Sequence, residues 1–110
     1  MNLIDYQKSA WETAVYPGKG SGDLRYAALG LAGEAGEVAE KVKKIFRDAD
    51  NAPDADRKQA LASEMGDVLW YLAALATELG VDLSSVASSN INKLFSRKNR
   101  GTLHGDGDER

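Results

Sequence analysis

Two long stretches, residues 24–47 and 55–79, repeat apolar side chains at helical spacing and contain no proline. Leu24, Leu31, Val38, Val42 and Ile45 recur in the first, and Leu61, Val68, Leu72, Leu75 and Leu79 in the second. Spacings of three, four and seven put each set on one stripe of an α-helix. Asp23 and Asp54 precede the stretches as N-caps, and Gly80 follows the second where a helix C′ glycine belongs. Shorter segments repeat the pattern at residues 3–16 (Leu3, Ile4, Trp11, Ala14, Val15) and at 83–98 after Asp82 (Val86, Ile91, Leu94, Phe95). The only prolines, Pro17 and Pro53, fall in the breaks PGKGSG (17–22) and ADNAP (49–53). No run alternates with period two for long enough to form a sheet. The chain is therefore predicted to be all-α, a bundle of four main helices over residues 1–100, with a glycine-rich tail at 101–110. That tail, GTLHGDGDER, reads as loop or as a partly mobile end.

Composition removes several classes of function. With 110 residues the chain is one domain. A formal charge of −3 argues against a stable nucleic-acid partner. There is no cysteine and one histidine, His104, which excludes thiolate chemistry and zinc sites built on several imidazoles. The longest apolar run, Val68 to Ala76, is nine residues. A membrane span needs roughly 20, and the N-terminus MNLIDYQK has no apolar signal region. The expectation is a cytoplasmic protein without a membrane partner. A lone chain of this size buries only about two-thirds of its unfolded surface, so oligomerisation is expected to complete the bundle.

Two acidic pairs interrupt the long stripes, Glu34-Ala35-Gly36-Glu37 and Glu64-Met65-Gly66-Asp67. Residues three apart project roughly 60° from one another, so each pair shares a helix face. With Glu34 at zero, Leu31, Val38, Val42 and Ile45 fall at roughly 20–80°; with Glu64 at zero, Leu61, Val68, Leu72 and Leu75 fall in the same window. Both pairs thus border the core-facing stripe, where carboxylates lose hydration and repel one another. Antiparallel packing of the two helices makes four acids converge, and four anions need a cation. An all-oxygen donor set selects a hard ion, Mg²⁺ with Mn²⁺ as substitute. Mg²⁺ completes its shell with water and substrate phosphate, which points to attack of water on a phosphate ester or anhydride. One ExxE alone is common on solvated helix faces; two on separate helices in matching phase are not. Glu37 and Lys41 also form an i,i+4 pair worth a few tenths of a kcal/mol.

Gly30, Gly33 and Gly36 recur inside the second helix and Gly66 inside the third. Each costs roughly 1 kcal/mol against alanine, so close approach of another helix or of a ligand is expected there. Lys93, Arg97, Lys98 and Arg100 cluster near the end of the fourth helix, and Asn90, Lys93 and Arg97 share one face of it. These cations suit a phosphate, and they equally complement a helix C-terminus. Trp11, Trp70 and Tyr71 can stack a base, although both tryptophans also suit a core or a subunit contact. His104 reads as a loop residue.

The run Gly30-Leu31-Ala32-Gly33-Glu34-Ala35-Gly36-Glu37-Val38, followed by Glu64-x-x-Asp67-Val68-Leu69-Trp70-Tyr71, resembles the MazG-type nucleotide pyrophosphohydrolases of the all-α NTP pyrophosphatase superfamily. Their signature is ExxE, a variable spacer (here residues 38–63), then ExxD. The likeness extends from Tyr6-Gln7 to Gly105-Asp106-Gly107-Asp108. It implies Mg²⁺-dependent cleavage of (deoxy)nucleoside triphosphates between the α and β phosphates, giving a monophosphate and pyrophosphate. It implies that Glu34, Glu37, Glu64 and Asp67 bind metal, with Glu34 and Glu37 the first candidates to take the proton of the attacking water. It places Tyr71 in the nucleotide site and assigns Asn90, Lys93 and Arg97 to the substrate. It further implies a homodimer or homotetramer with sites near subunit contacts. A dedicated relative acting on dUTP or phosphoribosyl-ATP is the alternative enzyme, and an oligomeric helical interaction module with a metal-stabilised joint is the non-catalytic one. No Walker loop is present, so this is not a P-loop NTPase. A di-iron bundle expects Glu-x-x-His, which neither motif supplies.

Overall fold

The computed structural model describes residues 1–110 and contains four helices and no strand. They are α1 (Leu3–Thr13), α2 (Arg25–Ala49), α3 (Ala55–Leu79) and α4 (Leu83–Asn99). None is long and apolar enough to cross a membrane. The all-α expectation is met, with shifts at the ends that have local causes.

Helix α1 stops at Thr13 rather than 16, because Ala14 is extended (ψ 126°). Pro17 disfavours helical backbone at Tyr16, and the extended exit buries Ala14 and Tyr16 while Val15 faces solvent. Asp23 does not occupy the cap position of α2; Leu24 does. The Asp23 carboxylate instead accepts from the Arg25 backbone N–H at 3.0 Å and pairs with the Arg25 guanidinium at 2.7 Å. Asp54 caps α3 as expected, accepting from Arg57 N–H at 2.9 Å, and Gly80 ends it at φ +75°. Asp82 makes no side-chain cap on α4. Gln7 from α1 takes that role: its Oε1 accepts from Leu83 N–H at 2.7 Å while its Nε2 donates to Thr77 Oγ1 and the Val81 carbonyl.

Helix α3 is the axis of the fold and packs against the other three, whereas α2 touches only α3. The core is made of small residues in two clusters, Ala10, Ala73, Ala76 and Leu83, and Ala14, Tyr16, Ala27 and Ala74. The loop after α1 is tied to α3 by the buried Glu78 carboxylate, which accepts from Tyr16 Oη (2.9 Å), Gly20 N–H (3.0 Å) and Gly22 N–H (3.3 Å). Gly20 and Gly22 both have φ +82°, the conformation that turns these N–H groups inward. Burial, reinforced by Glu78, raises the Tyr16 hydroxyl far above its ordinary value.

The predicted apolar stripes are not covered within one chain. Of their ten residues only Ile45 is buried, and Phe46 and Met65 beside them are 71% and 58% exposed. The accessible surface is 7645 Å², against about 5,900 Å² for a compact monomer of this mass. The radius of gyration is 16.7 Å, against about 13 Å expected. Four helices are present, but they do not close a bundle by themselves.

Candidate metal and nucleotide site

The two acidic motifs meet where α2 crosses the middle of α3 in antiparallel register. Carboxylate oxygens of Glu34, Glu64 and Asp67 all lie within 4.8 Å of one another. Glu34 and Glu64 are half-buried and Asp67 is exposed. Glu37, one turn further along α2, is exposed and stands outside this trio. Desolvation, then the charges of Asp67, Glu64 and Glu37, raise the Glu34 carboxyl above the usual range. Lys41 does not pair with Glu37 as its spacing predicted. Its ammonium crosses to α3 and lies 3.5 Å from Glu64 Oε1, a half-buried and therefore less screened partner.

A cavity of about 330 Å³ opens beside the acids, lined by Thr13, Glu34, Asp67, Trp70 and Tyr71. Tyr71 lies against the backbone of α2 at Gly30, where a Cβ would sit 2.1 Å from the ring. This is the close approach expected of one glycine. Gly33, Gly36 and Gly66 meet nothing within 4 Å. Burial first, then neighbouring Tyr26, Glu34 and Asp67, raise the Tyr71 hydroxyl and keep it protonated. Trp70 is set edge-on to Tyr71 at 5.0 Å, and its Nε1–H donates to Thr13 Oγ1 at 2.7 Å. Trp70 thus belongs to both the core and the cavity wall. Trp11 packs on the core, with the Lys19 ammonium 4.9 Å from its ring centroid. Thr13 escaped sequence reasoning, since a single hydroxyl at the end of a short amphipathic helix carries no spacing signal.

The basic face of α4 lies elsewhere in the chain. Helix α4 makes no contact with α2, so Asn90, Lys93 and Arg97 are not brought to Glu34. Asn90 and Lys93 border a shallow cleft with Val81, Ser85, Val86 and Ser89. Arg97 is buried and donates to the Asp108 carboxylate at 3.0 Å and to the Asp108 carbonyl. Lys93 reaches the same carboxylate at 3.0 Å. These two cations hold the Asp108 carboxyl below its ordinary value. The tail is accordingly folded back on α4, and Arg110 fixes it further by donating to the Thr102 and Leu103 carbonyls. His104 is exposed in this tail.

A family model, the MazG nucleotide pyrophosphohydrolase domain, matches residues 25–102. The chain belongs to the MazG family. The match takes in both acidic motifs, Tyr71 and the α4 residues, and it leaves α1 with Thr13 outside. Among similar proteins, Gene 37 protein of Mycobacterium phage L5 is 50% identical over 114 residues, covering all of both chains. Uncharacterized protein YvdC of Bacillus subtilis (strain 168) is 36% identical over 104 residues, 88% of this chain and 96% of that one. The dCTP pyrophosphatase 1 of Rattus norvegicus is 37% identical over 86 residues, 73% of this chain and 46% of that protein. No solved structure matches the chain. Membership of the MazG family agrees with the donor chemistry of the site. Three convergent carboxylates with no nitrogen or sulfur donor fit a hard divalent cation.

Proposed function

We propose that this MazG-family chain hydrolyses (deoxy)nucleoside triphosphates between the α and β phosphates, releasing a monophosphate and pyrophosphate. Glu34, Glu37, Glu64 and Asp67 would hold Mg²⁺, with Mn²⁺ as substitute. The observation that carries this reading is the convergence of Glu34, Glu64 and Asp67 at one side of a cavity whose other walls are Trp70 and Tyr71. The bound divalent ion supplies water activation and charge neutralisation at the departing pyrophosphate. Glu34 and Glu37 are the candidates to take the water's proton. Tyr71 and Trp70 offer aromatic faces to the nucleoside.

Asn90, Lys93 and Arg97 are assigned to the phosphates, and they reach the acids only from another copy of the chain. Several features support a homodimer or homotetramer. A groove of about 530 Å³ on the α2–α3 pair is lined by Gly66 and by apolar side chains that include Val38, Met65, Val68 and Leu72. Gly33, Gly36 and Gly66 have open space above them. The chain exposes about 1,700 Å² more than a compact monomer, about twice what one partner gives to a standard interface.

Incubating the protein with each NTP and dNTP in MgCl₂, beginning with dCTP, tests the activity through release of pyrophosphate rather than orthophosphate. Including dUTP and phosphoribosyl-ATP separates a dedicated relative from a general enzyme. Absence of pyrophosphate from every substrate overturns the proposal.

A further inference from the structure

Helix α2 carries three lysines close together, and they behave differently. Lys43 and Lys44 both turn outward to Glu40 on their own helix, at 2.9 and 3.4 Å. Lys41 alone crosses to α3, and its 3.5 Å contact with Glu64 is the only ion pair between α2 and α3. No other cation pairs with Glu34, Glu64 or Asp67. Lys41 could have taken Glu37 in the favourable i,i+4 orientation, yet it meets the carboxylate cluster instead.

We infer that Lys41 is the built-in counter-ion of the carboxylate cluster, a positioning residue that holds Glu64 in the interhelical cleft and competes with the divalent ion for it. The inference rests on the metal reading given above and goes beyond it. Three oxyanions within 4.8 Å repel one another, and one ammonium beside them relieves part of that repulsion. A divalent cation bound to the same carboxylates takes over this task. It stands next to a like charge, so Lys41 lifts the stability of the ion-free protein and weakens ion binding together. A residue that merely packed the two helices would do only the first. The long flexible stem of lysine lets the ammonium swing clear without moving either helix.

The test compares the parent with Lys41→Gln, Lys41→Met and Lys41→Arg. Titration calorimetry with MgCl₂ and MnCl₂ and thermal melts in EDTA and in MgCl₂ are the measurements. Lys41→Gln should melt lower than the parent in EDTA, bind Mg²⁺ about fivefold tighter, and show a larger rise of Tm with Mg²⁺. Lys41→Arg should keep the parent's values, and Lys41→Met serves in place of the glutamine variant should that one not fold. If the charge-removing variant binds Mg²⁺ no tighter than the parent, or loses the same Tm in both media, the inference is overturned while the metal reading stands. If the parent itself binds neither ion, the metal reading falls and the inference with it.

Discussion

Tyr71 rests directly on the backbone of Gly30. A Cβ on residue 30 would lie 2.1 Å from Tyr71 Cε1 and 2.4 Å from its Cζ, closer than atoms can approach. The ring is fixed to α3 and walls the cavity beside Glu34 and Asp67, so a methyl group at 30 must turn the ring or push the helices apart. Gly30→Ala is expected to lower kcat/KM by about tenfold or more through misplacement of the site. Helix content by circular dichroism should be retained, because alanine favours helix by roughly 1 kcal/mol. Gly33→Ala is the comparison, since nothing inside the chain crowds it. Parental kcat/KM in Gly30→Ala would remove Gly30 as the determinant of the ring's position.

Neutralising an acid should separate stability from function. Asp67→Asn and Glu37→Gln are each expected to abolish pyrophosphate release while the helical signal survives. Asp67→Asn also removes one of three crowded negative charges, so it should melt at or above the parent in EDTA and lose the Tm rise with Mg²⁺. Melting curves in the two media read both effects. A full Mg²⁺ response in Asp67→Asn would take this residue out of the ion's ligand set.

What the sequence made legible follows from how far each signal reaches. Period and caps are local, and they placed α3 to the residue, from the Asp54 cap to Gly80. Phase along a helix is also local, and it put Glu34, Glu64 and Asp67 at the same edge of their stripes, where the fold joins them. Asp23 precedes α2 without capping it, since Leu24 takes that position, and the acceptor for Leu83 N–H at the start of α4, Gln7, is 76 residues away and beyond any local signal. Lys41 was misassigned to Glu37 for the same reason: the intrahelical neighbour is visible in the sequence and the one on α3 is not. The glycine expectation held in the chain only at Gly30, and Thr13 as a wall of the cavity needed the three-dimensional path of α1.

Glu78 is the fastening of the loop to α3, a buried carboxylate receiving three donors. In Glu78→Gln an amide N–H₂ at the Oε1 position opposes the Gly20 and Gly22 N–H groups, and at the Oε2 position it displaces the proton that Tyr16 donates, so a donor loses its acceptor either way. The expected loss is roughly 2 kcal/mol of stability by denaturant unfolding. Amide exchange in residues 17–24 should quicken more than in α3. Unchanged exchange there would show that the loop holds without the carboxylate.

Asp108 pins the tail to Lys93 and Arg97. Asp108→Asn should speed amide exchange across residues 101–110 and leave α1 to α3 as they were. Acidification should act in the same way. The cations depress the Asp108 carboxyl below its unfolded value, so its contribution is complete above the ordinary aspartate range and is lost as pH falls through the depressed value. Tail amide exchange, corrected for its intrinsic pH dependence and followed down in pH, should therefore show release only at the acid end. Release at neutral pH would assign the tail's closure to other contacts.

The exposed groove on α2 and α3 sets the final expectation. Leu72 lines it and is 38% exposed, and a charge placed there is buried without a partner in any assembly that covers the groove. Leu72→Glu should sediment as a monomer at concentrations where the parent is a dimer or larger. On the proposed assembly, in which Asn90, Lys93 and Arg97 of a second copy meet the acids, it should lose pyrophosphate release in parallel. Glu34, Glu64 and Asp67 come from one chain, so the monomer should still bind Mg²⁺, which separates loss of assembly from loss of fold. A monomeric Leu72→Glu variant with parental turnover would show that a single chain is sufficient and that the α4 cations are not part of the site.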